Sequence, residues 1–215
     1  GGTEHPIALV QDTVAPQVSL EGPKAGTYYN QAQKATAKVS EYNFDYLKEF
    51  DPARTIVTVT KYEGNASRSM SSWVVPASDF AGSRPSYSAD LVFDSDGHYV
   101  IEAQFDDFAG NASNRAVIEE FTIDMTSPQI TLEFDNNEAR NGMYYKDPRT
   151  ATITVTEHNF DPSLIKIETT GTMGGWVTNG DTHTCTVYFG EGSAHTITVG
   201  GEDLAGNRSE ERRVG

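Results

Sequence analysis

Two halves of this chain repeat the same short motifs in the same order. Gly26-Thr-Tyr-Tyr29 recurs as Gly142-Met-Tyr-Tyr145, and Glu41-Tyr-Asn-Phe-Asp45 recurs as Glu157-His-Asn-Phe-Asp161, both at a spacing of 116 residues. A repeat of this length indicates two structural units of the same kind. Any fold assigned to one half therefore has to suit the other.

Further matched segments mark where each unit begins and where it nears its end. Asp12-Thr-Val-Ala-Pro-Gln-Val18 recurs as Asp124-Met-Thr-Ser-Pro-Gln-Ile130. Asp107-Phe-Ala-Gly-Asn111 recurs as Asp203-Leu-Ala-Gly-Asn207, at a spacing of 96 residues. These positions predict a first domain at residues 12–124 and a second at 125–215, with residues 1–11 as a tag or linker.

The change of spacing from 116 to 96 shows that the second unit is shorter. Trp73-Val74 is matched with Trp176-Val177, at a spacing of 103. This match predicts that the second unit lacks 13 residues before its Trp and 7 after it. Because length changes concentrate in surface loops, residues 73–86 are predicted to form a loop insertion specific to the first unit.

The residues between the motifs alternate between apolar and polar, which is the pattern of half-buried β-strands. Turn signals such as Asp96-Gly97 and Asn179-Gly180 separate these segments, and no segment has the apolar stripe of a helix. We expect about seven short strands per unit and no helix, which is typical of an antiparallel sandwich of the immunoglobulin type. The inward rows that show the alternation are Ala35, Ala37 and Val39, Tyr99, Ile101, Ala103 and Phe105, and Ala151, Ile153 and Val155.

Composition narrows the classes of function. Asp and Glu number 31 against 16 Lys and Arg, a formal net charge of -15, which repels nucleic-acid phosphates and anionic lipid headgroups. No apolar run approaches the roughly 20 residues of a membrane-spanning helix. We expect no nucleic-acid partner, no membrane insertion of this segment, and a monomer.

Taken together, these motifs resemble the bacterial immunoglobulin-like domain repeats of cell-surface proteins, especially those of Gram-positive bacteria. The resemblance rests on the Asp-x-x-x-Pro start, Gly-x-Tyr-Tyr, Thr154-Val-Thr-Glu-x-Asn-Phe-Asp161 and Asp-x-Ala-Gly-Asn, and it covers the chain from Asp12 onward. It implies two tandem sandwiches in an extracellular stalk or adhesion protein, attached to the cell surface or cell wall. The implied partners are neighbouring domains of the same longer chain.

The acidic turns are candidates for calcium binding, since Ca²⁺ prefers carboxylate and amide oxygens. The candidate ligands are Asp107, Asn111, Asp203, Asn207 and Asp124, the last at the junction, where Glu41 and Asp45 are expected to converge with it. The alternative interpretation is structural, because Asp and Asn also cap tight turns around glycine. We take the structural interpretation as the main one and assign no cofactor.

Aromatic residues near 73–86 suggest a second function. Trp73, Phe80 and Tyr87 lie close together in sequence, and exposed rings of this kind bind glycans or host proteins. The main hypothesis remains a non-catalytic spacer, with glycan or protein binding as the alternative. No Ser-His-Asp arrangement or metal-spaced His pair suggests an enzyme, and Cys185 is predicted to be a small buried side chain.

Overall fold

The computed structural model describes residue 2 and residues 9–192 and 194–214. Gly1 and His5, within the predicted tag, lie outside the described residues. The described residues are mostly β-strand, in sheets whose strands are antiparallel except for one short parallel pair, and they include one α-helix. Among the described residues, no helix has the length and apolar character that crossing a membrane requires.

The first half of the chain forms two sheets. One has the strand order β1-β3-β7-β6 and the other β2-β9-β8-β4-β5; β2 runs parallel to β9, and the other pairs are antiparallel. The strands are β1 (Gln17–Glu21), β2 (Tyr28–Tyr29), β3 (Gln33–Ser40), β4 (Thr55–Glu63), β5 (Ser69–Pro76), β6 (Ala81–Ser83), β7 (Ser86–Phe93), β8 (Gly97–Ala103) and β9 (Ala116–Ile123).

The second half repeats this plan, and the strands of one of its two sheets are shorter. One sheet has the order β10-β11-β15-β13, with β14 also paired to β15, and the other has the order β12-β16-β17. The strands are β10 (Gln129–Phe134), β11 (Arg149–Thr156), β12 (Ile165–Thr169), β13 (Thr172–Met173), β14 (Val177–Asn179), β15 (Thr182–Phe189), β16 (Ile197–Gly201) and β17 (Arg212–Val214).

Each half has its own hydrophobic core between its sheets. One cluster of buried side chains runs from Val18 to Ile123 and the other from Ile130 to Val199. Cys185 is 1% exposed and pairs across the strands with Ile153, so it fills a small apolar position. The rows expected to face inward on β3, β8 and β11 are buried.

A seven-residue helix, α1 (Phe44–Phe50), corrects the prediction that no helix is present. Phe44 and Leu47 are buried at helical spacing, while Phe50 is 62% exposed. Two apolar contacts in two turns produce no stripe long enough to recognise in a sequence. Tertiary packing of those two side chains stabilises a helix that is too short to be stable alone. The second half has a 3₁₀ turn, Pro162–Leu164, at the equivalent place.

The strand registers also correct the match between the two Trp residues. β6 pairs Ala81 with Ser88 as β14 pairs Val177 with Thr184, each 96 residues later. The equivalent of Trp176 is therefore Phe80, since each ring contacts the Phe of its own Asn-Phe-Asp motif. Trp73 lies on β5 in the other sheet.

The length difference between the units lies elsewhere than predicted. Residues 80–93 of the first unit have counterparts 96 residues later, so 73–86 is not a loop insertion. The additional residues form α1, an extension of β4, whose counterpart is the shorter β12, and the strand β5 that pairs with it, all before Phe80. The Trp-Val match was wrong because a shared dipeptide does not show which strands lie next to each other. Trp73-Val74 lies on β5, whereas Val177 lies on β14 in the other kind of sheet.

Candidate functional site

The two Asp-x-Ala-Gly-Asn segments form the same closed turn. Asp107 accepts hydrogen bonds at Oδ1 from the backbone N–H groups of Ala109 (2.9 Å) and Asn111 (2.8 Å). Its Oδ2 accepts from the Asn111 side-chain amide at 2.8 Å. Gly110 has a φ of 91°, which favours glycine at this position of the turn.

In the second unit, Asp203 accepts the same three hydrogen bonds. Two come from the backbone N–H groups of Ala205 and Asn207, both at 2.9 Å, and one from the Asn207 side chain at 2.8 Å. Asp203 is 1% exposed and Asp107 4%. Both carboxylates thus accept hydrogen bonds from backbone N–H groups of the turn that would otherwise lack a partner.

The Glu-x-Asn-Phe-Asp motifs place a second carboxylate beside each turn. Glu41 directly follows β3 and accepts from the backbone N–H of Asn43 at 2.7 Å; Glu157 directly follows β11 and accepts from that of Asn159 at 2.9 Å. Both Glu side chains are buried, 5% and 6% exposed. Each unit therefore holds two buried acids from distant segments at one end.

Asp124 completes the cluster in the second unit. Its Oδ2 accepts from the side-chain amide of Asn159 at 2.7 Å, and its backbone carbonyl accepts from the side-chain amide of Asn207, also at 2.7 Å. Asp12 has the equivalent bonds from Asn43 (2.9 Å) and Asn111 (3.0 Å). All three repeated motifs therefore meet at one point in each unit.

We call these groups the first acidic cluster (Asp12, Glu41, Asp107) and the second acidic cluster (Asp124, Glu157, Asp203). In each cluster, carboxylate oxygens from the three residues lie within 4.8 Å of one another. Of the proposed calcium residues, Asp124 and Asp203 belong to the second cluster and Asp107 to the first. Asn207 and Asn111 are their amide partners.

The expected convergence of Glu41 and Asp45 with Asp124 is wrong. Glu41 belongs to the first acidic cluster, and Asp45 accepts a hydrogen bond from the Tyr87 hydroxyl at 2.8 Å. The reason is topological, because each Glu follows a strand of its own unit and stays at that unit's end of the sheet. Sequence order alone predicted a mixed site, whereas each unit builds its own.

In the second acidic cluster, the pKa values of two carboxyl groups are raised. Burial raises the pKa of Glu157 to about 8, and the nearby charges of Asp124 and Asp203 act in the same direction. Burial also raises the pKa of Asp203 and that of Glu41. The pKa of Asp12 is lowered, chiefly by its hydrogen bond from Asn43. At neutral pH, Glu157 is therefore mostly protonated.

The residues that could hold a metal ion are the members of the two acidic clusters. Clustered carboxylates with a neighbouring backbone carbonyl are a ligand set suited to a hard cation such as Ca²⁺. A cation would displace the Glu157 proton and take carboxylate oxygens that now accept hydrogen bonds from Asn159 and Asn207. Chemically, the cluster can exchange a proton for a cation.

Two of the three aromatic rings proposed to bind a ligand are buried. Phe80 is 1% exposed and Tyr87 2%, because both pack against Phe44 inside the first core. They are thus unable to stack on a ligand, contrary to the prediction. Trp73 is 42% exposed and covers the edge of Tyr99, with ring centroids 6.2 Å apart.

The junction between the units contains contacts that sequence reasoning missed. His98 Nε2 and His158 Nε2 lie 2.8 Å apart, one from each unit, and Asn65 donates a hydrogen bond to Asp181. His158 occupies the position of Tyr42 in the repeat, so the motif comparison treats it as a variable residue. No spacing rule connects it to His98.

The fold and these clusters define a mostly β protein with two hydrophobic cores and two acidic clusters. No family model matches the chain, and no curated protein matches it significantly.

Proposed function

We propose that this chain is a non-catalytic, extracellular structural module of a bacterial surface protein, in which two immunoglobulin-like sandwiches act as a spacer. The strand orders support the fold assignment. In the first domain, β1-β3-β7-β6 faces β9-β8-β4, which corresponds to the ABED and GFC sheets of that fold. In the second domain, β10-β11-β15-β14 and β17-β16-β12 follow the same order.

One residue, Asp124, carries the spacer proposal. Its backbone N–H donates to the Tyr29 carbonyl of the first domain at 2.8 Å, while its carboxylate and carbonyl accept from Asn159 and Asn207 of the second. It is 3% exposed. A connection whose first residue is buried in the next domain has little freedom to bend.

Other contacts support a restricted junction. Asp96 accepts a hydrogen bond from the backbone N–H of Met125 at 2.8 Å and another from the Thr126 hydroxyl. The connection between β9 and β10 is thus held along its length by the turn before β8. The His98–His158 and Asn65–Asp181 contacts add two further points between the domains.

The net charge fits a module displayed in an aqueous exterior, because like charge keeps such a chain soluble and separate. We propose neighbouring domains of the same longer chain as its partners. Binding of a glycan or host protein at Trp73, Phe80 and Tyr87 loses its basis, since two of these three rings are buried.

A distance measurement tests the proposal. Spin labels at Val92→Cys and Lys166→Cys, both exposed positions, report on the two domains. Cys185 is buried, and burial raises the pKa of its thiol, so it stays unlabelled. Double electron–electron resonance should give one narrow distribution of the distance between the two labels.

Two insertion variants complete the test. A short glycine insertion after Thr126 should broaden the distribution, and the same insertion after Asn141, in a turn remote from the junction, should leave it narrow. A wild-type distribution as broad as that of the Thr126 insertion would refute the rigid spacer.

A further inference from the structure

We propose that the domain junction binds a divalent transition-metal ion such as Zn²⁺, with His98 and His158 as its two protein ligands. The two imidazoles come from different domains, and their Nε2 atoms face each other at 2.8 Å, with ring centroids 5.1 Å apart. His98 is 7% exposed. Imidazole nitrogen is a preferred ligand of zinc, copper and nickel.

The contacts of the two Nδ1 atoms bear on which nitrogen of each ring carries the proton. His158 Nδ1 is 3.1 Å from Asp181 Oδ1, and an ionised carboxylate only accepts hydrogen bonds, so Nδ1 carries the proton. His98 Nδ1 is 2.7 Å from the Thr122 hydroxyl, which can either donate or accept, and 3.6 Å from a Glu120 carboxylate oxygen. In the tautomer with the proton of each ring on Nδ1, both Nε2 atoms carry lone pairs that can bind a metal ion.

A metal ion between the rings would take both of these nitrogens as ligands. In tetrahedral zinc geometry, the Nε2 atoms of His98 and His158 would lie about 3.3 Å apart, so the two rings would have to separate by roughly half an ångström.

The surroundings match those of known metal-binding histidines. Such a histidine usually donates its second N–H to a carboxylate, carbonyl or water, which fixes its orientation, and Asp181 serves His158 in this way. The charged groups around the pair are Glu120, Asp124, Asp181 and Arg68, and Arg68 is paired with Glu120 at 2.7 Å. The local field therefore favours a cation.

This site differs in chemistry from the acidic clusters. The histidine pair offers nitrogen ligands to a borderline metal, whereas the clusters offer oxygen to a hard one. The side chain of His158 is 27% exposed, so water can supply the remaining ligands. The inference does not rest on the spacer proposal, because binding is measured whether or not the domains are rigid.

Calorimetric titration of the metal-stripped full chain with Zn²⁺ and Ni²⁺ at about pH 7.5 tests the site. We expect one high-affinity metal ion per chain, and at least tenfold weaker binding in His98→Ala and in His158→Gln. His195→Ala is the matched control and should bind as the wild type does, because the hydrogen-bond partners of His195 among the described residues are Thr170 and the Gly190 carbonyl.

The His158→Gln variant keeps a hydrogen-bonding side chain of similar length, so its fold is expected to survive; circular dichroism checks this. Absence of zinc binding to the wild-type chain would overturn the proposal. Binding that persists unchanged in folded His158→Gln, or that is lost in His195→Ala, would overturn it as well. Narrow spin-label distances without zinc binding would leave the spacer proposal standing alone.

Discussion

The side chain of Asn207 donates two hydrogen bonds, to the Asp124 carbonyl and the Asp203 carboxylate. In Asn207→Ala, both acceptors stay buried without that donor, which should lower the free energy of unfolding of the second domain by about 1–3 kcal/mol. Each domain has one Trp, Trp73 or Trp176, so urea unfolding followed by fluorescence in a Trp73→Phe background isolates the second.

The equivalent variant provides the control. Asn111→Ala should destabilise the first domain and leave the Trp176 transition unchanged. Equal effects of both variants on that transition would contradict separate clusters.

The raised pKa of Glu157 predicts that the free energy of unfolding of the second domain depends on pH. Because its pKa is about 8 in the folded chain, against an ordinary glutamate value of 4.5 once unfolded, the folded chain binds more protons between those values. The free energy of unfolding of the second domain should therefore fall as pH rises from about 4.5 to 8. In Glu157→Gln this loss should disappear, with higher stability than the wild type above pH 8. A urea midpoint that rises through this range would contradict the assignment.

At the scale of elements, α1 is held by few contacts. Leu47 is 1% exposed, so Leu47→Ala should cost the first domain about 2–5 kcal/mol. Phe50→Ala, on the exposed side of the same helix, should cost much less. Trp73 fluorescence in a Trp176→Phe background measures both, and equal losses would show that α1 does not pack as described.

Strand β5 is an edge strand of eight residues without a charge, with Met70 and Val74 exposed. Such edges promote aggregation. Val74→Lys should raise the temperature at which light scattering begins, with little change in stability. Val92→Lys, an exposed position on β7 of the other sheet, should leave that temperature unaltered. An equal rise in both variants would show that the edge position of β5 is not the cause.

The elements also show what the sequence could predict. The alternation on β3, β8 and β11 identified side chains that are buried, because period two follows directly from strand geometry. The match between Trp73 and Trp176 was wrong and the extra hairpin was missed, since both depend on which strands pair. The motifs of the acidic clusters were visible individually, but their convergence depends on the turns that bring segments as far apart as Asp124 and Asp203 together.

For the whole molecule, the acidic clusters predict a response to calcium. Ca²⁺ competes with the Glu157 proton, so millimolar Ca²⁺ should raise the thermal midpoint of the second domain more at pH 8.5 than at about pH 6. EDTA should reverse the rise, and Glu157→Ala should reduce it. An unchanged midpoint at both pH values would show that the clusters serve as hydrogen-bonded turns alone.

Because Asp124 is buried and bonded to both domains, no single position in the sequence separates one domain from the other. Asp124 ends the hydrogen bonding of the first domain and fills the acidic cluster of the second, so it belongs to both. A second domain produced from residue 125 onward would lack one of its own buried side chains. Proteins built from such repeats are therefore best dissected with one residue shared between successive pieces.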